Sequence, residues 1–527
     1  MSRATPVLLI GIDAAEVTLI ERLCSAGKLP ALHSLKERGC FGILKNTPHG
    51  FLSTVWPTFY SSRNVSQHGW YFNKMWRPDR MRLEFATEEW LPQKPFWQFL
   101  DPGRFRVALL DIPYSPRPPE YLNGVFLYGW QTHEDFGKLS RPADLWKQLK
   151  RTFGRPVMRP EFFGPQSAKS LLRLRQEMLD ATEQTSRISE SLLDSESWDL
   201  FLVVLGGAHR GSHYLWNLSQ IETRGLASET RRMLENALVE LYQSWDRAIG
   251  RLINKAPDGA KIMVFALHGM GPNTGWSERF GEIVSQIQRS GADAPPKSGL
   301  IYRLKRALPW KLVRQVTTRL PTSINHLLVP LWSARMFNWR TTRYFPLPLD
   351  LNGYLRINLK GRESQGIVGP GEEYEALCRE IKEAFLSFRD IENGEPIVEA
   401  VDRVDDLVPP DSPCRHLLPD LVVRWGRTSS LETSGIRSEK YGELRWDPSA
   451  PLPSGRSGNH LSKGWFVAAG EGIRSGTRSE GHNTLDLIPT VFRWLGVEPP
   501  VEVQGQPIPV LCEGVAGPQH ESLFAVA

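Results

Sequence analysis

Four histidines of this chain lie beside apolar runs and are candidate ligands for a metal ion. His209 and His213 stand four residues apart, directly after the apolar run that ends at Leu205. On one helical turn, two imidazoles at this spacing can face the same ion. His268 follows the apolar run in "KIMVFALHGMGP", and His460 lies in "GRSGNH", just before another. Neutral imidazole is a ligand for zinc and manganese, so these four histidines predict a metal site.

A carboxylate stands in a similar place after the first apolar run. Asp13 ends "PVLLIGID", where it could supply an oxygen ligand to the same site. Taken singly, Asp13 could instead be the N-cap of the helix that follows. Each histidine, taken singly, could be a hydrogen-bonded loop residue. The sequence leaves both interpretations open.

Two neighbouring hydroxyl groups are candidates for a nucleophile. Ser53 and Thr54 precede "VWPTFYSS", in which Pro57 suits the first turn of a helix. A nearby metal ion lowers the pKa of a hydroxyl, and free N–H groups at a helix start can hold a phosphate. An ordinary Ser/Thr helix cap is the alternative interpretation.

Alternating strands and helices are expected to hold these candidate residues in place. Short buried runs separated by helical patterns predict an α/β fold with a largely parallel sheet and helices on both faces. Ligands of such sheets gather at the carboxyl ends of the strands, where the candidate residues lie. The strand-like runs are "PVLLIGI", "RFRVALLDIP", "WDLFLVVLGG", "AKIMVFALHG" and "LPDLVVRWG".

Composition excludes several classes of protein. Of 527 residues, 41% are hydrophobic and 23% are charged, which excludes a mainly disordered chain. The five cysteines are scattered without a CxxC pair, so we expect reduced thiols and no zinc-thiolate site. No run is long enough for a signal-peptide core or a membrane span, which predicts a cytoplasmic protein.

Charge is concentrated in one segment. Residues 294–349 contain ten Lys and Arg residues and no carboxylate, although the net charge of the chain is only +6. This segment could be a lid that attracts an anionic substrate, a peripheral contact with an anionic membrane, or a solvated face. Nucleic-acid binding is not expected, because no recognised binding module is present.

Several blocks in order resemble the alkaline phosphatase superfamily, and more closely its type I phosphodiesterase/nucleotide pyrophosphatase branch. They are "LLIGIDAAEVTLIERLCSAGKLPALHSLKERGCFGIL", "STVWPTFYSSRNVSQHGWY", "LGGAHRGSHYLW", "FALHGMGP", and "GNHLSKGWFVAAGEGI" with "NTLDLIPTVFRWLGVEPP". The resemblance implies an alkaline-phosphatase-like α/β/α sandwich with one catalytic domain over residues 1–515. An aromatic and proline-rich cap is expected at about 70–165, a basic helical insertion at about 285–350, and a tail at 516–527.

The resemblance also implies a site with two divalent ions, zinc or alternatively manganese, about 4 Å apart. One ion would be held by His209, His213 and His460. The other would be held by Asp13, the nucleophile hydroxyl and His268. A covalent phospho-Thr or phospho-Ser intermediate would form and then be hydrolysed.

The position of the nucleophile needs a small offset from the family pattern. Counting back from His68 without gaps reaches Leu52, which has no hydroxyl. Thr54 is the first choice because it lies nearer the helix start marked by Pro57, and Ser53 is the second.

Two residues depart from the family pattern. His209 stands where the family has the aspartate of D-x-x-x-H, and imidazole still binds zinc. Leu267 stands where the family has the aspartate of "SDHG", and leucine binds no metal. We therefore expect the second ion to bind more weakly, or only with substrate.

The resemblance implies hydrolysis of a phosphodiester or pyrophosphate bond in a small-molecule phosphoester. Two alternatives stay open: a degenerate member that binds a phosphorylated ligand without turnover, and a hydrolase of a phosphomonoester, sulfate or phosphonate. The aromatic residues of 70–165 could stack on a substrate or could only cover the sheet.

Overall fold

A computed structural model describes residues 5–513, apart from 47–49, 52–53, 88–89, 91–92, 116–117, 119–120, 133–136, 159–163, 291–328, 332, 348–350 and 410. Most of the basic segment, the tail and the candidate Ser53 therefore lie outside the described residues. In the described part of the chain, no helix combines the length and apolarity needed to cross a membrane.

Strands and helices alternate along most of the described chain. The strands are β1 (Val7–Ile12), β2 (Cys40–Lys45), β3 (Lys74–Arg77), β4 (Arg82–Phe85), β5 (Val107–Leu110), β6 (Gly124–Tyr128), β7 (Leu139–Arg141), β8 (Leu200–Leu205), β9 (Lys261–Ala266), β10 (Gly269–Pro272), β11 (Tyr344–Pro346), β12 (Gly353–Ile357), β13 (Arg389–Asp390), β14 (Val398–Arg403), β15 (Leu421–Trp425), β16 (Gly435–Ser438), β17 (Gly442–Arg445), β18 (Gly458–Leu461), β19 (Gly464–Ala469) and β20 (Thr477–Asn483). The α-helices are α1 (Val17–Ser25), α2 (Pro30–Glu37), α3 (Val55–Ser61), α4 (Val65–His68), α5 (Leu145–Phe153), α6 (Ala168–Ser195), α7 (Gly207–Leu215), α8 (Ser228–Lys255), α9 (Trp276–Ser290), α10 (Glu372–Leu386), α11 (Val404–Leu407) and α12 (Leu487–Trp494).

Nine strands form the central sheet in the order β20-β2-β19-β9-β1-β8-β5-β6-β7. Neighbouring strands are parallel except where β19 or β7 pairs with its neighbours. The prediction of a largely parallel α/β fold is confirmed.

Helices cover both faces of this sheet because its strands are apolar throughout. In β1, Leu8 and Ile10 pack in a cluster with residues of α1, α2, α6 and α8. Val7 and Leu9 point the other way, into a cluster with residues of α3 and α12. A strand buried on both faces reads as a continuous hydrophobic run, which is the pattern of "VLLIGI". The architecture is therefore an α/β/α sandwich.

Part of residues 70–165 belongs to the sheet itself, since β5, β6 and β7 lie within this range. Its aromatic residues are mostly internal. Trp70 and Trp76 are buried in one hydrophobic cluster, and Trp130 is buried in the cluster beneath α6 and α8. These rings fill the interior, which favours the packing interpretation over stacking on a substrate.

Smaller sheets follow β9 along the chain. An antiparallel sheet in the order β11-β12-β15-β14 packs with α9 and α10 around its own hydrophobic cluster. The short strands β10 and β18 pair with each other. This pair matters most for the site, because it joins the segment after His268 to the segment that holds His460.

Candidate metal centre

Three parallel strands bring four of the candidate ligands to one edge of the sheet. β1 lies between β8 and β9, with Ile12 opposite Leu205 and Gly11 opposite Phe265. The segments that follow these strands therefore start side by side. Asp13 follows β1, α7 with His209 and His213 follows β8, and His268 follows β9.

The fifth candidate arrives through the β10–β18 pair. His460 lies opposite Met270, which comes two residues after His268 in the chain. Gly458 begins β18, and any Cβ at this position would collide with the carbonyl oxygen of Ser212 in α7. The glycine therefore allows β18 to lie against the helix that carries His209 and His213.

The five side chains form two groups of candidate donors. His209, His213 and His460 make one group, and Asp13, His209 and His268 make the other. Within each group, the donor atoms all lie within 4.8 Å of one another. All five residues are buried, with exposed fractions between 0% and 8%. His209 belongs to both groups, whereas the family resemblance implies that it lies with His213 and His460 alone.

Backbone carbonyls orient two of the imidazoles. The Nδ1 of His213 lies 2.9 Å from the carbonyl oxygen of Gly458, and the Nδ1 of His268 lies 3.2 Å from that of Gly269. A carbonyl oxygen only accepts, so each Nδ1 carries the proton and donates it. Each Nε2 is then left with a lone pair, which is the arrangement found around histidines that bind metal ions.

The protonation state of His268 suits the same role. Burial, together with the neighbouring His460, lowers the pKa of His268 to about 3 against the opposing effect of Asp13. The ring therefore stays neutral at physiological pH. A neutral imidazole is the form that binds a metal ion.

Asp13 is held by the helix that carries the candidate nucleophile. The indole Nε1 of Trp56, in α3, donates to Oδ1 of Asp13 at 2.9 Å. Gly11 allows this approach, because a Cβ there would come within 2.9 Å of the Trp56 ring. The alternative that Asp13 caps a helix is wrong, since the side chain of Glu16 accepts the N–H of Leu19 at the start of α1.

Thr54 lies at the N-cap position of α3. It is buried, and its side chain makes no capping hydrogen bond. Its hydroxyl donates to the carbonyl oxygen of Phe51 at 2.9 Å. Because Trp56 is only two residues further on and bonds Asp13, the backbone of Thr54 is tied to the same end of the sheet.

Asn46 is a positioning residue that the sequence analysis missed. Its Nδ2 donates to the carbonyl oxygens of Leu267 at 3.2 Å and Ser462 at 2.8 Å. It therefore joins the loop before His268 to the turn after His460. A single asparagine after a strand gives no signal of such a role, because both partners lie more than 200 residues away in sequence.

The side chain of Leu267 supplies no metal ligand at the position where the family has an aspartate. Its side chain is buried in the hydrophobic cluster that also contains Trp56 and Phe59. Its carbonyl oxygen is used by Asn46. In the described structure, the donors of the Asp13 group are those of Asp13, His209 and His268.

His68 fixes the helices next to the candidate nucleophile. Trp70 donates its N–H to the Nδ1 of His68 at 3.1 Å, so the ring proton is on Nε2, which lies 3.1 Å from the Thr58 hydroxyl in α3. Burial lowers the pKa of His68 to about 3. The neutral ring joins α3 to the end of α4.

We expect His68 to make the protein sensitive to acid. A histidine with an unfolded pKa near 6.5 and a folded pKa near 3 contributes its full stability above pH 6.5 and loses it as the pH falls towards 3. The free energy of unfolding should fall by up to about 1.4 kcal/mol per pH unit in this window. Urea unfolding of His68→Asn, whose oxygen can still accept the Trp70 N–H, should show a shallower slope than the native protein. Equal slopes would contradict this assignment.

The sequence matches the family of type I phosphodiesterases/nucleotide pyrophosphatases over residues 7–431. The chain belongs to this family, whose fold is the alkaline-phosphatase-like sandwich described above. The family supports a hydrolase of the phosphodiesterase and pyrophosphatase type. No curated protein matches the sequence significantly.

Solved structures with a similar arrangement share little sequence with this chain. Human ectonucleotide pyrophosphatase/phosphodiesterase 5 is 12% identical, with a TM-score of 0.47, and the alignment covers 93% of this chain and 95% of that one. Phosphonoacetate hydrolase from Sinorhizobium meliloti 1021, in complex with phosphonoformate, is 13% identical, with a TM-score of 0.48 and coverage of 94% and 95%.

Proposed function

We propose that this protein is a metal-dependent hydrolase of phosphodiester or pyrophosphate bonds, with Thr54 as the nucleophile and two divalent ions. The observation that carries the proposal is the buried convergence of one carboxylate and four imidazoles from four distant segments. A buried polar cluster of this kind is costly unless its lone pairs are satisfied, and a metal ion satisfies them.

The donor set decides which ions fit. His209, His213 and His460 would hold one ion, and Asp13 and His268 would hold the other together with a further donor. Nitrogen-rich ligation favours zinc, with manganese as the alternative. When bound, divalent ions withdraw charge from phosphate oxygens and lower the pKa of an adjacent hydroxyl.

The residues around the ligands do the positioning. The carbonyl oxygens of Gly458 and Gly269 accept the Nδ1 protons of His213 and His268, which puts the lone pair of each ring on Nε2. Trp56 donates to Oδ1 of Asp13, which also lies 3.6 Å from Nε2 of His268, while Oδ2 lies 3.2 Å from Nδ1 of His209. The Thr54 hydroxyl donates its proton to the carbonyl oxygen of Phe51, and this proton would have to pass to solvent or to the leaving group when the oxygen attacks phosphorus. We propose that residues 1–515 form one catalytic domain, because the side chains that would bind the metal ions lie between residues 13 and 460 of the chain.

A second candidate function is binding of a phosphorylated ligand without turnover. The observation that favours it is Leu267, whose side chain packs in an apolar cluster and gives the Asp13 group no carboxylate. A hydrolase of phosphomonoesters, sulfates or phosphonates would use the same core, so the choice of bond rests on the family.

Turnover of bis-p-nitrophenyl phosphate by metal-stripped protein tests the proposal. We expect no turnover after chelation, and recovery when zinc or manganese is added back. p-Nitrophenyl phosphate and p-nitrophenyl sulfate, assayed in parallel, separate a diesterase from a monoesterase or a sulfatase. Folded protein that hydrolyses none of these esters with either metal would favour the binding function.

A further inference from the structure

His209 differs from the other candidate ligands in the direction of its two ring nitrogens. Its Nδ1 lies 3.2 Å from Oδ2 of Asp13, and its Nε2 lies 3.0 Å from Nε2 of His213. The ring therefore stands between the two donor groups, with one nitrogen towards each. His213 and His268 instead direct Nδ1 at a backbone carbonyl.

The two contacts of His209 cannot both be favourable for a neutral ring on its own. A neutral imidazole carries one proton, on either Nδ1 or Nε2. If the proton is on Nε2, the lone pair of Nδ1 faces the carboxylate of Asp13. If it is on Nδ1, the lone pair of Nε2 faces that of His213, whose proton is on its own Nδ1. Both contacts become favourable with a metal ion at each ring nitrogen, or with a second proton on the ring, and the metal count below separates the two cases.

We propose that His209 is a ligand shared by two metal ions, one at each ring nitrogen, with the ring proton released to solvent as the second ion binds so that the side chain bridges as an imidazolate. Through Nε2 it completes the group with His213 and His460, and through Nδ1 it supplies the third protein donor of the group with Asp13 and His268. This inference rests on the metal binding in the proposed function and extends it. The histidine at position 209 thereby makes up for the donor that Leu267 lacks.

A shared imidazole has a geometric consequence. Ions on opposite nitrogens of one ring lie farther apart than the roughly 4 Å of ions that clamp the attacking and leaving oxygens together. The two ions of this protein are therefore coupled through a side chain. Loss of the ring affects both ions, whereas loss of any other ligand affects one ion directly.

Metal stoichiometry tests the shared ligand without any assay of activity. Full-length protein stripped of metal is dialysed against zinc, and bound zinc is counted by mass spectrometry. We expect two ions in the native protein and one in His268→Ala, with affinity for both lowered at least tenfold in His209→Ala. His33→Ala, an exposed histidine on α2, is the matched control and should keep both ions. Circular dichroism of each variant checks that it folds.

Electron paramagnetic resonance of the native protein loaded with copper(II) gives a second measurement that needs no variant. Two copper ions on one imidazole ring are exchange-coupled, so the signal should be weaker than the copper content requires. A single bound ion, a native signal equal to two isolated copper ions, or a His209→Ala protein that keeps one ion at native affinity would each overturn the shared ligand. Diesterase activity with one ion bound would overturn the shared ligand and the second ion while leaving the proposed metal-dependent hydrolysis standing. Absence of all metal binding would overturn both.

Discussion

His213→Ala is expected to abolish metal binding in its group and to lower kcat/KM for a phosphodiester by at least about 10³-fold. Metal ions contribute several kcal/mol of stabilisation to transferred phosphoryl groups, and each 1.4 kcal/mol is about tenfold in rate. His213 is fully buried, its Nδ1 donates to the carbonyl oxygen of Gly458, and its Nε2 faces Nε2 of His209. Bound zinc and the hydrolysis of bis-p-nitrophenyl phosphate are measured on the same preparation.

A histidine elsewhere in the fold provides the control for this experiment. His482 lies on the edge strand β20 and contacts the Ser479 hydroxyl through Nε2. We expect His482→Ala to keep both zinc content and activity. Full activity of His213→Ala with native zinc content would refute the metal centre.

Thr54→Ala is expected to lower kcat by about 10³-fold or more while leaving in place the zinc held by His209, His213 and His460. The proposed nucleophile is a single hydroxyl, and without it no covalent phospho-enzyme can form. The hydroxyl of Thr54 bonds only within its own turn, to Phe51, so its removal should disturb the fold little. Rapid quench with a labelled diester, followed by protein precipitation, measures the covalent intermediate.

Two further variants identify the nucleophile. Thr54→Ser keeps a hydroxyl at the position and should retain most of the activity, whereas Ser53→Ala should be near the native level. If Ser53→Ala loses the intermediate and Thr54→Ala keeps it, the nucleophile is Ser53. If both single variants keep the intermediate, neither hydroxyl is the nucleophile.

The sheet and most of the candidate ligands could be predicted from sequence for a physical reason. A parallel strand covered on both faces must be apolar at every position, so β1, β8 and β9 stand out as unbroken runs. The strands end where polar residues begin, and parallel strands end at one edge. Residues such as Asp13 and His268 were therefore expected to meet although 255 positions separate them.

The rest depends on contacts that no local pattern records. Asp13 accepts a hydrogen bond from Trp56, and the N-cap of α1 is Glu16. The sequence around α1 does not show which of the two carboxylates caps the helix. The bridging bonds of Asn46 depend on how two distant loops pack together. The double orientation of His209 depends on the rotation of one ring relative to four neighbours, and sequence spacing carries no information about that rotation.

The pairing of β10 with β18 also has a consequence for the lifetime of the protein. His460 comes from near the end of the described chain and shares a donor group with His209, whereas Asp13 comes from near its beginning and shares the other group with His209, so two ions held by these groups would together cross-link the two ends. Ligands that bind only the folded state slow the exposure of cleavable chain to proteases in proportion to their occupancy. The supply of metal would then set how long each molecule survives as well as its rate of catalysis.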